Sequence, residues 1–183
     1  MDDVAKNLSV SKKTLYQYFS DKDELVEEAS KAHIQQEREE LEQATRESSN
    51  AIEELYLTSK CVRKNIDRIN PTVLFDLLRF YPKSYSLWQN FKDEFIFQSI
   101  ALNLKQGIED GYFRKEINLE ILSRLRLLEI QLLFDQDVFP IDQYDFKEVQ
   151  IQLFDHFVYG IVTEKGRALY LNYLEKDKKQ IYA

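Results

Sequence analysis

Asp-Asp-Val-Ala-Lys-Asn-Leu-Ser-Val-Ser-Lys-Lys-Thr-Leu-Tyr-Gln-Tyr-Phe-Ser-Asp-Lys, residues 2–22, reads as two short helices, Asp2 to Leu8 and Lys12 to Phe19, around the turn Ser9-Val10-Ser11. That is a helix-turn-helix layout. Val4, Ala5, Leu8, Val10, Leu15 and Phe19 fall on the shared apolar side, and Ser11 caps the second helix. Lys12, Lys13, Thr14, Tyr16, Gln17 and Tyr18 remain along or beside its outer face. From residue 4 to residue 22, Lys6, Lys12, Lys13 and Lys22 stand against Asp21 alone, a local balance of +3 in a chain of formal net charge -7. The acidic total argues against a nonspecific nucleic-acid coat, but locally the sign reverses.

Outward from this stretch, Ser20-Asp21-Lys22-Asp23 predicts a capping box with Ser20 as the cap and Asp23 reaching back. The long helix it starts, Lys22 to Thr45, turns almost wholly polar in Gln35-Gln36-Glu37-Arg38-Glu39-Glu40, as in a strut with an exposed middle. A helix from Ala51 to Ile69 follows, with Ile52, Leu55, Tyr56, Val62, Ile66 and Ile69 on one stripe, ended by Asn70-Pro71. A short helix then leads to Tyr81-Pro82, and a longer one runs to Gly111 as C-cap. Asn118 caps the helix Leu119 to Asp135, whose apolar residues are too many for one stripe, so two of its faces are buried. After a break at 137–142 come Asp145 to Val162 and a last helix, Glu164 to Lys178. The expectation is an all-α fold: residues 1–45 as a head with its connecting helix, residues 46–183 as a helical body.

Composition narrows the function classes. The chain has 183 residues, 44% hydrophobic and 31% charged, with only 4 Gly, 3 Pro and 1 Cys. So little turn material disfavours all-β folds. A single cysteine excludes an internal disulfide and makes a reducing cytoplasm the expected compartment. With His33, His156 and Cys61 as the only histidines and thiol, no zinc-ligand spacing can be drawn, and neither metal nor cofactor is expected. No apolar run approaches 18 residues, so no membrane association is expected. Phosphate loop, nucleophile elbow and metal motif are all missing, which leaves an enzyme as the minor alternative.

From Asp3 to Leu25 the sequence resembles the TetR family of bacterial transcriptional regulators, through Val4-Ala5, Val10-Ser11, Leu15-Tyr16, Tyr18-Phe19, Lys22 and Leu25. Ser9 stands where the family has a turn glycine, and the match comes without the family's preceding helix, since the chain starts at Met1. If that helix is absent, about three of Val4, Leu8, Leu15 and Phe19 lose cover at roughly 1.5–3 kcal/mol each, or about 5–9 kcal/mol. The expectation is then a folded body with poor DNA binding. The resemblance implies that the second helix enters the major groove of a pseudo-palindromic operator. Ser11, Lys12, Lys13, Thr14, Tyr16, Gln17, Tyr18 and Lys22 become the DNA-binding residues, with Gln17 a reader of adenine and Lys22 on a phosphate. Core packing is the other reading of Tyr16 and Tyr18, and a solvated face that of the lysines.

Eight of the 24 aromatic residues lie between Phe75 and Phe97. Phe75, Phe80, Tyr81, Tyr85, Trp88, Phe91 and Phe95, joined by His156, are the candidate pocket for the small apolar or aromatic effector that the resemblance implies. The same rings can equally fill a core. The resemblance implies a four-helix homodimer interface, for which Leu125, Leu128, Leu132, Leu153, Phe157, Gly160 and Ile161 are the candidate faces; the other reading is the core of a thick monomer. Cys61 lies off its helix's main stripe, where a thiol sensor is the minor reading, and His33 falls near the Val26-Ala29 face as a packed histidine. The implied protein is a dimeric repressor; the alternative is a helical ligand-binding or interaction protein that has lost DNA binding.

Overall fold

In the computed structural model, which describes residues 1–65 and 69–181, the head consists of α1 (Asp2–Asn7) and α2 (Lys12–Tyr18). Ser11 caps α2 by accepting from the Thr14 amide at 3.0 Å. Ser9 takes the turn in the left-handed region, at φ 55°. A glycine would hold that angle without strain. Ala5 and Leu15 are buried, Val4 and Phe19 half-buried, and Leu8 and Val10 exposed, so Leu15 keeps the cover it was expected to lose.

The next helix, α3 (Lys22–Glu47), starts one residue off the expected cap. Asp21, not Ser20, accepts from the Glu24 amide at 2.8 Å, and Glu24, not Asp23, reaches back to the amide and hydroxyl of Ser20, both at 2.6 Å. The longer glutamate side chain spans the return that an aspartate at residue 23 would have to make from one position nearer. The body is α4 (Ala51–Asn65), α5 (Val73–Phe80), α6 (Pro82–Asn90), α7 (Phe97–Glu109), α8 (Leu119–Leu132), α9 (Phe146–Ile161) and α10 (Glu164–Ile181). A π-helical turn, Phe91–Ile96, joins α6 to α7. Ile66 of the expected α4 stripe lies outside the described residues. Asn118 caps α8 through Ile121 N at 3.1 Å, and Gly111 ends α7 at φ 73°, both as expected. Among the described residues the β structure is one isolated bridge, Phe113 with Val162.

Two apolar centres hold the body. The larger gathers Ile52, Leu55 and Tyr56 of α4, Leu104 of α7, Phe154, Phe157 and Val158 of α9, and Tyr170 of α10. The smaller packs Phe91, Ile96 and Leu127 against Ile34 and Leu41 of α3. Between them lies a space that the helices do not fill.

Candidate functional site

The head presents an unbroken polar surface along α2. Ser11, Lys12, Lys13, Tyr16, Gln17, Tyr18 and Lys22 are exposed and Thr14 is half-buried, so the rings of Tyr16 and Tyr18 do not pack into a core. Two of the cations are engaged. Lys12 pairs with Asp2 at 3.0 Å, and Lys22 Nζ lies 5.4 Å from the ring centroid of Tyr81, at the joint of α5 and α6. The hydrogen bond to Tyr81 holds the Lys22 ammonium above the ordinary lysine range. A residue at the start of the strut thus touches the body where two of its helices meet.

The body encloses a cavity of about 570 Å³. Its walls come from almost every element. Leu25, Val26, Ala29, His33, Ile34, Glu37 and Leu41 line it from α3, and Leu55, Thr58 and Val62 from α4. Leu74 and Leu77 come from α5, Ser84 and Trp88 from α6, Arg126, Glu129 and Ile130 from α8 with Leu133 just past its end, and Phe146, Gln150, Leu153, Phe154 and Phe157 from α9. A mostly apolar concavity with a few polar groups is the ordinary form of a small-molecule site.

The polar groups of this wall are unusual for their depth. Arg126 and Glu129 are both buried and pair at 3.1 Å, with the guanidinium 5.1 Å and 5.2 Å from the Phe154 and Phe157 ring centroids. Burial pulls the Arg126 pKa down against the support of Glu129. Across the cavity, Glu37 is pushed up to about 7, first by loss of water and then by the charge of Glu40. Its ion-pair contact is His33 Nε2 at 3.9 Å. Gln150 is buried with its Oε1 unpartnered.

Of the residues expected to form a pocket, only Trp88 lines it. Phe75 and Phe80 are exposed, with Arg79 lying over both rings at 5.9 Å and 5.3 Å. Phe91 and Phe95 stack on each other in the smaller core, with Arg38 4.2 Å from the Phe95 centroid. Tyr81 serves the Lys22 contact, and Tyr85 is half-buried away from the cavity. His156 is an exposed side chain whose Nδ1 sits 3.6 Å from Glu129, behind the wall. Aromatic density along one segment is a weak guide to a cavity because a helix points its side chains to all sides and only one face meets any one cavity. The missed signals were charges in phase with an apolar stripe: Glu37 follows Val26, Ala29 and His33 at three- and four-residue steps, and Arg126 and Glu129 sit inside the leucine-rich α8. The strut's middle is therefore not a freely exposed spacer, since Glu37 and Arg38 turn inward.

Among the expected interface residues, Leu125 and Leu128 are exposed, Leu132 is half-buried and Gly160 is exposed. Leu153 and Phe157 line the cavity, and Phe157 and Ile161 belong to the larger core, so these three face inward. Cys61 is half-buried, and burial followed by the charge of Glu40 pushes its thiol up, away from thiolate reactivity. Among the described residues no group of three His, Cys, Asp or Glu side chains could hold a metal ion, and no helix is long and apolar enough to cross a membrane.

Comparison with known proteins adds the lineage. Residues 1–29 match the family model of bacterial regulatory proteins of the tetR family. Over 172 residues, 90% of this chain and 86% of the relative, the sequence is 27% identical to YvaF, described as an uncharacterized HTH-type transcriptional regulator of Bacillus subtilis strain 168. The fold is similar to SCO4454, a TetR-family transcriptional regulator from Streptomyces coelicolor, with TM-score 0.65, 16% identity, and 87% and 80% of the two chains covered. It is also similar to the ketosteroid transcriptional regulator KstR2 of Mycobacterium tuberculosis, with TM-score 0.61, 19% identity, and 88% and 84% covered. A helix-turn-helix head whose residues 1–29 match the tetR family model thus sits on an all-helical body, and the whole is similar in fold, along most of the chain, to solved transcriptional regulators.

Proposed function

We propose that the protein is a homodimeric cytoplasmic repressor that reads a pseudo-palindromic operator through α2 and leaves it when an effector fills the cavity. The observation that carries this reading is the double use of α3. One helix begins at the DNA-facing head and lines the cavity as far as Thr45, so a ligand that favours one setting of α3 moves the head. Residues 1–45 then act as the head and lever, and residues 46–183 as the sensing and pairing body. The Lys22–Tyr81 contact gives the α5–α6 joint a second hold on the lever.

Pairing falls to the outer side of α8 and α9. Ile121, Leu125 and Leu128 lie at steps of four and three on α8, all exposed, and form the apolar stripe that an antiparallel helix pair of a second copy covers. On the head, Gln17 is the base reader and Lys22 the phosphate contact at the start of α3.

DNA flanking the protein's own gene, titrated by fluorescence anisotropy, tests both roles. Gln17→Ala is expected to change sequence preference at one base pair, by about 1–3 kcal/mol. Lys22→Ala is expected to weaken specific and random DNA alike and to reduce the slope of log affinity on log salt by about 0.9. Equal effects of both substitutions on specific and random DNA would overturn the role assignment. A mass of 21.9 kDa by light scattering at micromolar concentration, that of one chain, would overturn the dimer.

A further inference from the structure

The walls of the cavity carry a surplus of one kind of polar group. Three carboxyl groups, Glu37, Glu54 and Glu129, face it together with a single arginine. Arg126 is already taken up by Glu129 at 3.1 Å and by the rings of Phe154 and Phe157. Glu54 is satisfied by neutral donors, the Thr45 hydroxyl at 2.8 Å and the Asn103 amide at 2.7 Å. Glu37 has neither arrangement, since its contact with His33 Nε2, at 3.9 Å, is beyond hydrogen-bond reach. Gln150 adds a second unspent acceptor, buried and without a partner for its Oε1. A buried acceptor without a donor costs free energy, and Glu37, half-buried against the cavity, is a carboxylate without a cation to offset the water it has lost.

We infer that the cavity takes an amphiphilic amine, with a protonated nitrogen that donates to Glu37 and an apolar body lying among Trp88, Phe134, Phe146, Leu133 and the leucines of α3. This rests on the proposal that the cavity is the effector site. A carboxylate ligand would meet three like charges. A neutral apolar ligand would leave Glu37 to take up a proton instead, which its raised pKa of about 7 makes the competing outcome. The aromatic walls favour the cation further, because ring faces attract a positive head once water is excluded. The charged groups around Glu37 are His33 and Glu40 on its own helix, Glu54 from α4, and Arg126 and Glu129 from α8; the α6 wall, Ser84 and Trp88, is uncharged.

Trp88 is the only tryptophan of the chain and lines the cavity, so its emission reports occupancy directly. The test titrates the full chain at pH 8 with three probes of one chain length: decylamine, 1-decanol and decanoate. Decylamine is expected to bind at least about tenfold more tightly than either of the others. Glu37→Gln is expected to shrink that preference to about threefold or less while leaving decanol unchanged. Lowering the pH to 6 on the unaltered protein is expected to weaken decylamine by up to about tenfold, as Glu37 gains a proton while the amine stays protonated. Decanol binding as well as decylamine, decanoate binding best, or a preference that persists in Glu37→Gln would overturn the amine assignment and leave the effector site standing. No change in Trp88 emission with any probe would overturn both. Should Glu37→Gln fail to fold, the three-probe comparison and its pH dependence on the natural chain still decide.

Discussion

Glu129→Ala is expected to destabilise the protein by about 3–5 kcal/mol, read from urea unfolding at constant protein concentration. The deletion leaves the Arg126 guanidinium in a site where burial already works against its charge, with two phenyl rings as its remaining neighbours. The cation then carries its desolvation cost without the carboxylate 3.1 Å away that offset it. His156 would lose its contact too, but it is exposed and recovers water. Replacing the pair together, Arg126→Met with Glu129→Leu, is expected to restore most of the loss, because apolar groups of similar volume carry no such cost. A double variant as unstable as Glu129→Ala alone would show that the instability comes from lost volume and not from an orphaned charge.

Gly166→Ala is expected to cost about 3 kcal/mol or more, and by an unrelated route. A Cβ at residue 166 would stand 2.2 Å from the carbonyl oxygen of Tyr112, a backbone atom that cannot swing aside. That carbonyl also accepts from the Thr163 amide at 2.9 Å and the Thr163 hydroxyl at 3.1 Å, and Arg114 N donates to Ile161 O at 2.9 Å beside it. Moving α10 away from 110–114 breaks several of these bonds at about 1 kcal/mol each, in addition to the packing strain. Gly160→Ala is the matched control. Nothing lies within 4 Å of its added Cβ, and alanine is the better helix former by about 1 kcal/mol, so the same urea series is expected to show equal or higher stability. A loss under 1 kcal/mol for Gly166→Ala would mean that this joint yields more easily than its hydrogen bonds indicate.

Legibility in the sequence followed the range of the forces involved. The turn at Ser9, the cap at Ser11, the cap at Asn118 and the stop at Gly111 are local events, set by a few neighbouring residues, and they stand where the pattern placed them. The cap of α3 slipped by one position because Asp21 and Ser20 offer the same chemistry, and only the reach of Glu24 separates them. The cavity is a different kind of object. It is the space left where faces of seven helices fail to meet, so no stretch of sequence owns it, and the dense rings from Phe75 to Phe97 went mostly to cores and surface. The inward face of α9 misled for the same reason. Phe157 and Ile161 are apolar whether they meet a second subunit or their own core, and periodicity cannot tell the two apart.

Lining the cavity with the helix that carries the head has a cost for adaptation. If the cavity is the effector site proposed above, a substitution at Ala29, His33 or Glu37 that retunes which molecule it takes also alters the helix on which α2 is mounted. On the same proposal, changes at Ile130, Gln150 or Leu153 alter the accepted molecule alone, because α8 and α9 do not carry the head. On the proposed function, variation that exchanges one effector for another while keeping the same DNA site should therefore concentrate on α8 and α9. Substitutions along the inner face of α3 should instead appear together with changes in basal expression.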